Sequence, residues 1–178
     1  MIKPLLLCGA VALLTACAGA GKSPSAGTSE PQAVAAGDPP HGVIKLLLDD
    51  EGGTYADLRA VSTWQGNSRL RRFYIINNYS KQTVIHQDPP LIITSSRANS
   101  VINCDTQERT LFDRIYFSKP YAQGDAIASS RQDAVGQWSA FPKESLIGIV
   151  AGMVCQLDPS RLKPEPPAQS EPTRLGAL

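Results

Sequence analysis

The strongest constraint on this chain is a short apolar segment near its carboxy end that finishes in a cysteine, Pro142 to Leu157. Proline suits a first helical position, where its missing N–H is not needed, and Glu144 and Ser145 place acceptors beside the unpaired amides that follow. Leu146, Ile149, Val150, Met153 and Leu157 recur at helical spacing, while Ile147 and Val154 spread apolar surface around the rest. The pattern predicts a helix nearly engulfed by the fold, stopped by Asp158-Pro159. Crossing a bilayer takes about 20 apolar residues, so the segment is too short to span one. Gly148 and Gly152 each cost about 1 kcal/mol against alanine in a helix. They are read as a flat stripe against which another backbone packs. Cys155 then needs a partner.

The amino terminus decides the compartment. Met1-Ile2-Lys3 is a short positive start, Pro4 leads into an apolar run from Leu5 to Leu14, and that length marks an export signal over residues 1–16. Leu14-Thr15-Ala16-Cys17 resembles the lipobox of bacterial lipoproteins, which implies that Cys17 becomes the first mature residue and carries acyl chains. One acyl chain anchors only marginally and two or more hold durably, at about 0.8 kcal/mol per buried methylene. In the lipoproteins it resembles, aspartate after the cysteine favours inner-membrane retention; Ala18 stands here, so the expected location is the outer membrane.

Residues 17–41 are rich in Gly, Ala, Ser, Pro and Thr, with almost nothing large and apolar, and are read as a tether that cannot offset its conformational entropy by burial. The Pro-rich residues 158–178 are read as a disordered tail, leaving 42–157 as a single domain. With 17 basic and 16 acidic residues there is no broad field to recruit nucleic acid.

Inside the domain, Val43 to Leu48 reads as a strand, Asp49 to Gly53 as a turn and Thr54 to Leu58 as the return. Arg59 to Asn67 reads as a connection. Ser68 to Tyr79 is the clearest strand, with Phe73, Ile75, Arg69 and Arg71 on one face and Leu70, Tyr74, Ile76 and Arg72 on the other. Its arginines read as a solvated edge, with an acidic or sulfated partner as the alternative. Asn77 to Lys81 reads as a turn and Gln82 to His86 as a return strand. Leu91 to Thr94 and Ser100 to Cys104 supply one or two strands, Thr110 to Ser118 another, and Ala126 to Ser130 pairs back. The fold class is therefore α+β: about six antiparallel strands followed by one carboxy-terminal helix.

With Cys8 removed and Cys17 lipidated, Cys104 and Cys155 remain, an even count in a compartment that permits oxidation. They are expected to form a structural disulfide across a loop of about fifty residues. Neither Cys-x-x-Cys spacing nor enough ligands for zinc is present. His41 and His86 both sit beside prolines in apparent loops, and no nucleophile, zinc-hydrolase or phosphate-loop motif occurs. Asp113 and Asp125 could be imagined as a carboxylate pair for glycan cleavage, but two acids in a strand-rich chain arise by chance. The reading is a non-enzyme, with no cofactor and no metal; the acids Asp49, Asp50 and Glu51 lack calcium-loop spacing.

The residues Tyr55-x-Asp57, Arg71 to Tyr79, Ser96-Arg97, Ile102-Asn103-Cys104, Arg109, Tyr116, Gly124-Asp125, Trp138, Pro142, Ser145 and Val154-Cys155 resemble, in order and spacing, the surface-adhesin E family of bacterial lipoproteins. That resemblance implies a six-stranded antiparallel sheet tied to a carboxy-terminal helix by the cysteine pair. It also implies exposure on the outer membrane, self-association, and binding of host matrix or plasma proteins. The alternative is a periplasm-facing structural or assembly lipoprotein that pairs a sheet edge with another envelope protein.

Overall fold

The computed structural model describes residues 32–131 and 137–166; the export signal, Cys17 and most of the tether lie outside the described residues. Seven strands form a single antiparallel sheet: β1 (Val43–Asp49), β2 (Gly52–Trp64), β3 (Asn67–Gln87), β4 (Pro90–Asn103), β5 (Glu108–Lys119), β6 (Gln123–Arg131) and β7 (Ser139–Ala140). The first six lie in chain order, each pairing with the next, and β7 shares the outer edge of β5 with β6. One helix, α1 (Leu146–Cys155), follows. The architecture matches the α+β expectation of about six strands and a late helix, though the strands are longer than their local composition indicates.

Two predicted breaks are absent. Arg59 to Trp64 continues β2, with the pairing register shifting between Asp57 and Ser62, so that Val61 and Ser62 are buried. Of the one or two strands allowed for Leu91 to Thr94 and Ser100 to Cys104, there is one, β4, with Cys104 just past its end. Most consequentially, Asn77 to Lys81 is not a turn and Gln82 to His86 is not a return strand. β3 runs through both, and the chain reverses at Asp88-Pro89. The asparagines form no local turn because their amides are used across strands: Asn77 Oδ1 accepts from Thr54 Oγ1 at 3.1 Å and Asn78 Oδ1 from the Tyr121 N–H at 2.7 Å.

The core lies between the sheet and α1. Phe73 and Ile102 from the two central strands, Ala56 and Val61 from β2, and Phe141 before the helix meet Ile147, Val150 and Val154. The buried stripe is therefore i, i+3, i+7 from Ile147, and Leu146 and Ile149 face solvent. A sheet on one side only cannot engulf the helix. Ser145 caps it, its hydroxyl accepting from the Gly148 N–H at 3.2 Å, and the turn before it is closed by the Ser145 N–H on the Pro142 carbonyl. Pro142 thus precedes the helix rather than starting it.

Cys104 and Cys155 are bonded, with Cα atoms 5.6 Å apart and a sequence separation of 51. Closing a loop of that length stabilises the fold by about 4 kcal/mol in the chain-entropy model.

The glycine stripe behaves otherwise than expected. A side chain at Gly148 would collide with the carbonyl oxygens of Pro142 and Lys143, so the close backbone is the helix's own lead-in and not a separate element. At Gly152 an added Cβ meets nothing within 4 Å. Gly152→Ala is accordingly expected to stabilise the protein by up to about 1 kcal/mol through helix propensity. Gly148→Ala should destabilise it by about 1–3 kcal/mol through overpacking. Urea denaturation of the two variants checks the contrast; equal effects would contradict the stated packing.

Candidate binding surface

The sheet face opposite α1 is built by register. Arg72, Tyr74 and Ile76 alternate on this face of β3 and stand opposite Val101, Asn99 and Arg97 of β4; Arg97 in turn stands opposite Ile115 of β5. Trp64, at the end of β2, reaches Phe112 of β5 with ring centroids 4.7 Å apart. The result is a ladder of guanidinium groups and rings across the sheet. Arg72 lies over Tyr74 at 4.8 Å and Trp64 at 6.0 Å, and Arg97 lies over Tyr74 at 4.5 Å and Phe117 at 5.4 Å. Tyr74 therefore contacts two cations.

The two arginines are held differently. Arg72 is 3% exposed, donates to Asn99 Oδ1 at 2.9 Å and to the Tyr74 hydroxyl at 2.5 Å, and is part of the fold. Arg97 is half-buried and joins neither of the two salt bridges found among the described residues, Arg59–Asp57 and Arg69–Asp105. Its plane is occupied by rings while its N–H edge is the part suited to a carboxylate or sulfate from outside. Trp64, Tyr74, Asn99, Phe112 and Ile115 are also only half-buried.

The arginine run of β3 is thus not a solvated edge. Arg71 and Arg72 are buried, and only Arg69 is exposed, paired with Asp105 across the β4–β5 turn. Burial is tolerated because Arg71 Nη1 donates to the Ser68 and Leu70 carbonyls and Arg72 has its amide, hydroxyl and ring partners.

Two segments read as lying outside the domain close over its ends. Gln32 to Val34 pairs alongside β3, and Gly37 accepts from the Tyr121 hydroxyl at 2.5 Å. Tyr121 packs edge-on to Tyr55, and burial, then its hydrogen bond with Tyr55, pushes its phenol up to about 12. At the other end the chain after α1 does not leave the fold at Asp158. Lys163 lies parallel beside Ser62, its N–H on the Val61 carbonyl at 2.8 Å, on the part of β2 that β1 does not pair. Glu165 then receives Thr63 Oγ1 at 2.5 Å, the Gln65 N–H at 2.9 Å and the Gly66 N–H at 2.8 Å. Gln65 and Gly66 both have positive φ, so the two amides point at one carboxylate.

The remaining candidates are scattered. Asp113 stands opposite Arg131 and Asp125 six residues earlier on β6, roughly 20 Å along the strands, whereas glycan-cleaving carboxylates lie within about 10 Å. His86 holds the Pro89 carbonyl at 3.0 Å and His41 is exposed before β1. No cluster of three or more metal-ligating side chains, and no helix long and apolar enough to cross a membrane, occurs among the described residues. Beside the disulfide, a cleft of about 350 Å³ is lined by Cys104, Cys155, Gly148, Gly152, Phe141 and Lys143 among others.

These features define a class: a small sheet domain stapled to one helix by a disulfide, with an arginine and aromatic face. The chain belongs to the family described as surface-adhesin protein E, whose model matches residues 44–156. Among solved structures it is similar to Haemophilus influenzae protein E, with a TM-score of 0.57 at 16% identity over 70% of this chain and 92% of that one. Protein E from non-typeable Haemophilus influenzae gives the same score and identity over 71% and 84%. At that identity the likeness is one of fold.

Glu165 offers a direct test of how the carboxy-terminal segment is held. The hydroxyl of Thr63 and the amides of Gly66 and Gln65 keep its carboxyl below the usual glutamate range. A depressed folded value stabilises the protein above the unfolded value and loses that effect as pH falls through the folded one. Glu165→Gln should therefore melt below the wild type at pH 7, and the two should converge as the pH drops below the carboxylate range. Parallel melting curves at both pH values would contradict this.

Proposed function

We propose that this protein is a lipid-anchored outer-membrane adhesin whose domain binds other proteins and carries out no catalysis. The observation that carries the reading is the ladder of Arg72, Tyr74, Arg97 and Phe117 on an antiparallel sheet face away from the helix. Arginine and aromatic side chains are the types that dominate protein-binding hot spots. A guanidinium fixed in plane by rings recognises acidic side chains or sulfated groups bidentately, with the rings supplying apolar contact. Family membership supports a surface adhesin. Acylation of Cys17 supplies the anchor, and host matrix or plasma proteins, or another envelope protein, are the partners this chemistry fits.

Binding of the purified mature protein to matrix proteins, plasma proteins and heparin tests the site. Arg97→Ala should weaken capture by about tenfold or more, as expected for a hot-spot arginine, and Arg97→Lys should not restore it because lysine lacks the planar fork. Palmitate labelling should disappear in Cys17→Ser. Unchanged binding by Arg97→Ala, or failure of protease to reach the protein on intact cells, would contradict the proposal.

A further inference from the structure

β3 and β4 outrun the sheet. β2 pairs with β3 only as far as Tyr79, and β5 pairs with β4 only from Ser95 onward, so Ser80–Gln87 and Pro90–Thr94 run on as a two-stranded arm, buried at its base at Ile93 and Thr94 and open further out. Within it Val84 stands opposite Ile92 and His86 opposite Leu91, with Asp88-Pro89 as the tip. Val84 is 41% exposed and Ile92 43%, and Pro89 and Pro90 are exposed beside them. Two opposed aliphatics left open on a strand pair are an association hazard unless something covers them.

Gln32 to Val34 lies antiparallel to β3, with the Val34 N–H on the Ser80 carbonyl and the Gln82 N–H on the Gln32 carbonyl, both 2.9 Å. Moving towards Gln32 therefore means moving towards the arm tip, and Gln32 is the described residue nearest in sequence to Cys17. Gln32 lies fifteen residues after Cys17. A Gly/Ser-rich chain of that length spans about 20 Å as a coil. From Lys81 to Gln87 the arm extends by about the same 20 Å.

We propose that the tip of the β3–β4 arm, through Val84, Ile92, Leu91 and the two prolines, rests on the phospholipid surface in which Cys17 is anchored. This inference rests on the acylation of Cys17 given above. Tip and anchor meet the bilayer together, and Asp88 keeps the contact at headgroup depth, since a carboxylate is not carried into hydrocarbon. The opposite end of the sheet, with the β2–β3 and β4–β5 turns and the disulfide, then faces away from the membrane.

The test places a polarity-sensitive fluorophore at Ile92→Cys in the full acylated protein, with Ile149→Cys on the exposed side of α1 as the comparison, each reconstituted in phosphatidylethanolamine and phosphatidylglycerol vesicles. The tip label should be quenched by headgroup nitroxide lipids and lose quenching by aqueous iodide; the helix label should do the reverse. Flotation with the vesicles but iodide quenching equal at both labels overturns the docking and leaves the anchor standing. Failure to float, with unmodified Cys17 by mass spectrometry, overturns both. Shielding of the tip label in solution without vesicles would assign the arm to a second copy of the chain and also overturn it.

Discussion

One covalent cross-link sets the conditions for everything built around it. The bond between Cys104 and Cys155 fastens the end of α1 to the chain just past β4, and a helix of ten residues has little stability of its own. Its buried stripe amounts to Ile147, Val150 and Val154, a narrow contact with a broad twisted sheet. Cross-linking restricts the unfolded chain, and it also fixes where the segment after the helix begins. From that point Leu162 joins the core, Lys163 lines β2 and Glu165 closes on the β2–β3 turn.

The sheet has two faces and two ends, and each is used differently. The face under α1 is a conventional apolar core, whereas the other carries cations stacked on rings, with Arg72 also hydrogen-bonded into the fold and Arg97 half-buried. Of the two ends, one holds the disulfide and the cleft beside it. The other extends into the β3–β4 arm, beside which the amino-terminal segment enters.

Much of the fold was legible from residue order. The late helix, its termination near Asp158, the cysteine pairing and the approximate number of strands follow from period, punctuation and cysteine count. What was not legible depends on partners distant in the chain. Asn77 and Asn78 look like a turn because their amides usually bond locally, and only the positions of Thr54 and Tyr121 redirect them. Arg97 and Phe117 carry no joint signal until β4 and β5 pair in register. Glu165 sits in a proline-rich run without periodicity, so nothing short of the folded β2–β3 turn reveals its three donors. The exposed side of α1 was misjudged for a simpler reason: apolar residues all around a helix do not reveal how many neighbours are available to cover them.

The measurement that bears most directly on this account is the thermal unfolding of the mature protein with Cys104→Ser and Cys155→Ser combined, compared with the unreduced wild type. Loss of about 4 kcal/mol in a domain of this size should lower the midpoint by more than about 10 °C, with the amides of α1 losing hydrogen-exchange protection first. A midpoint unchanged within a degree or two, with α1 as protected as before, would show that the helix is held by packing alone.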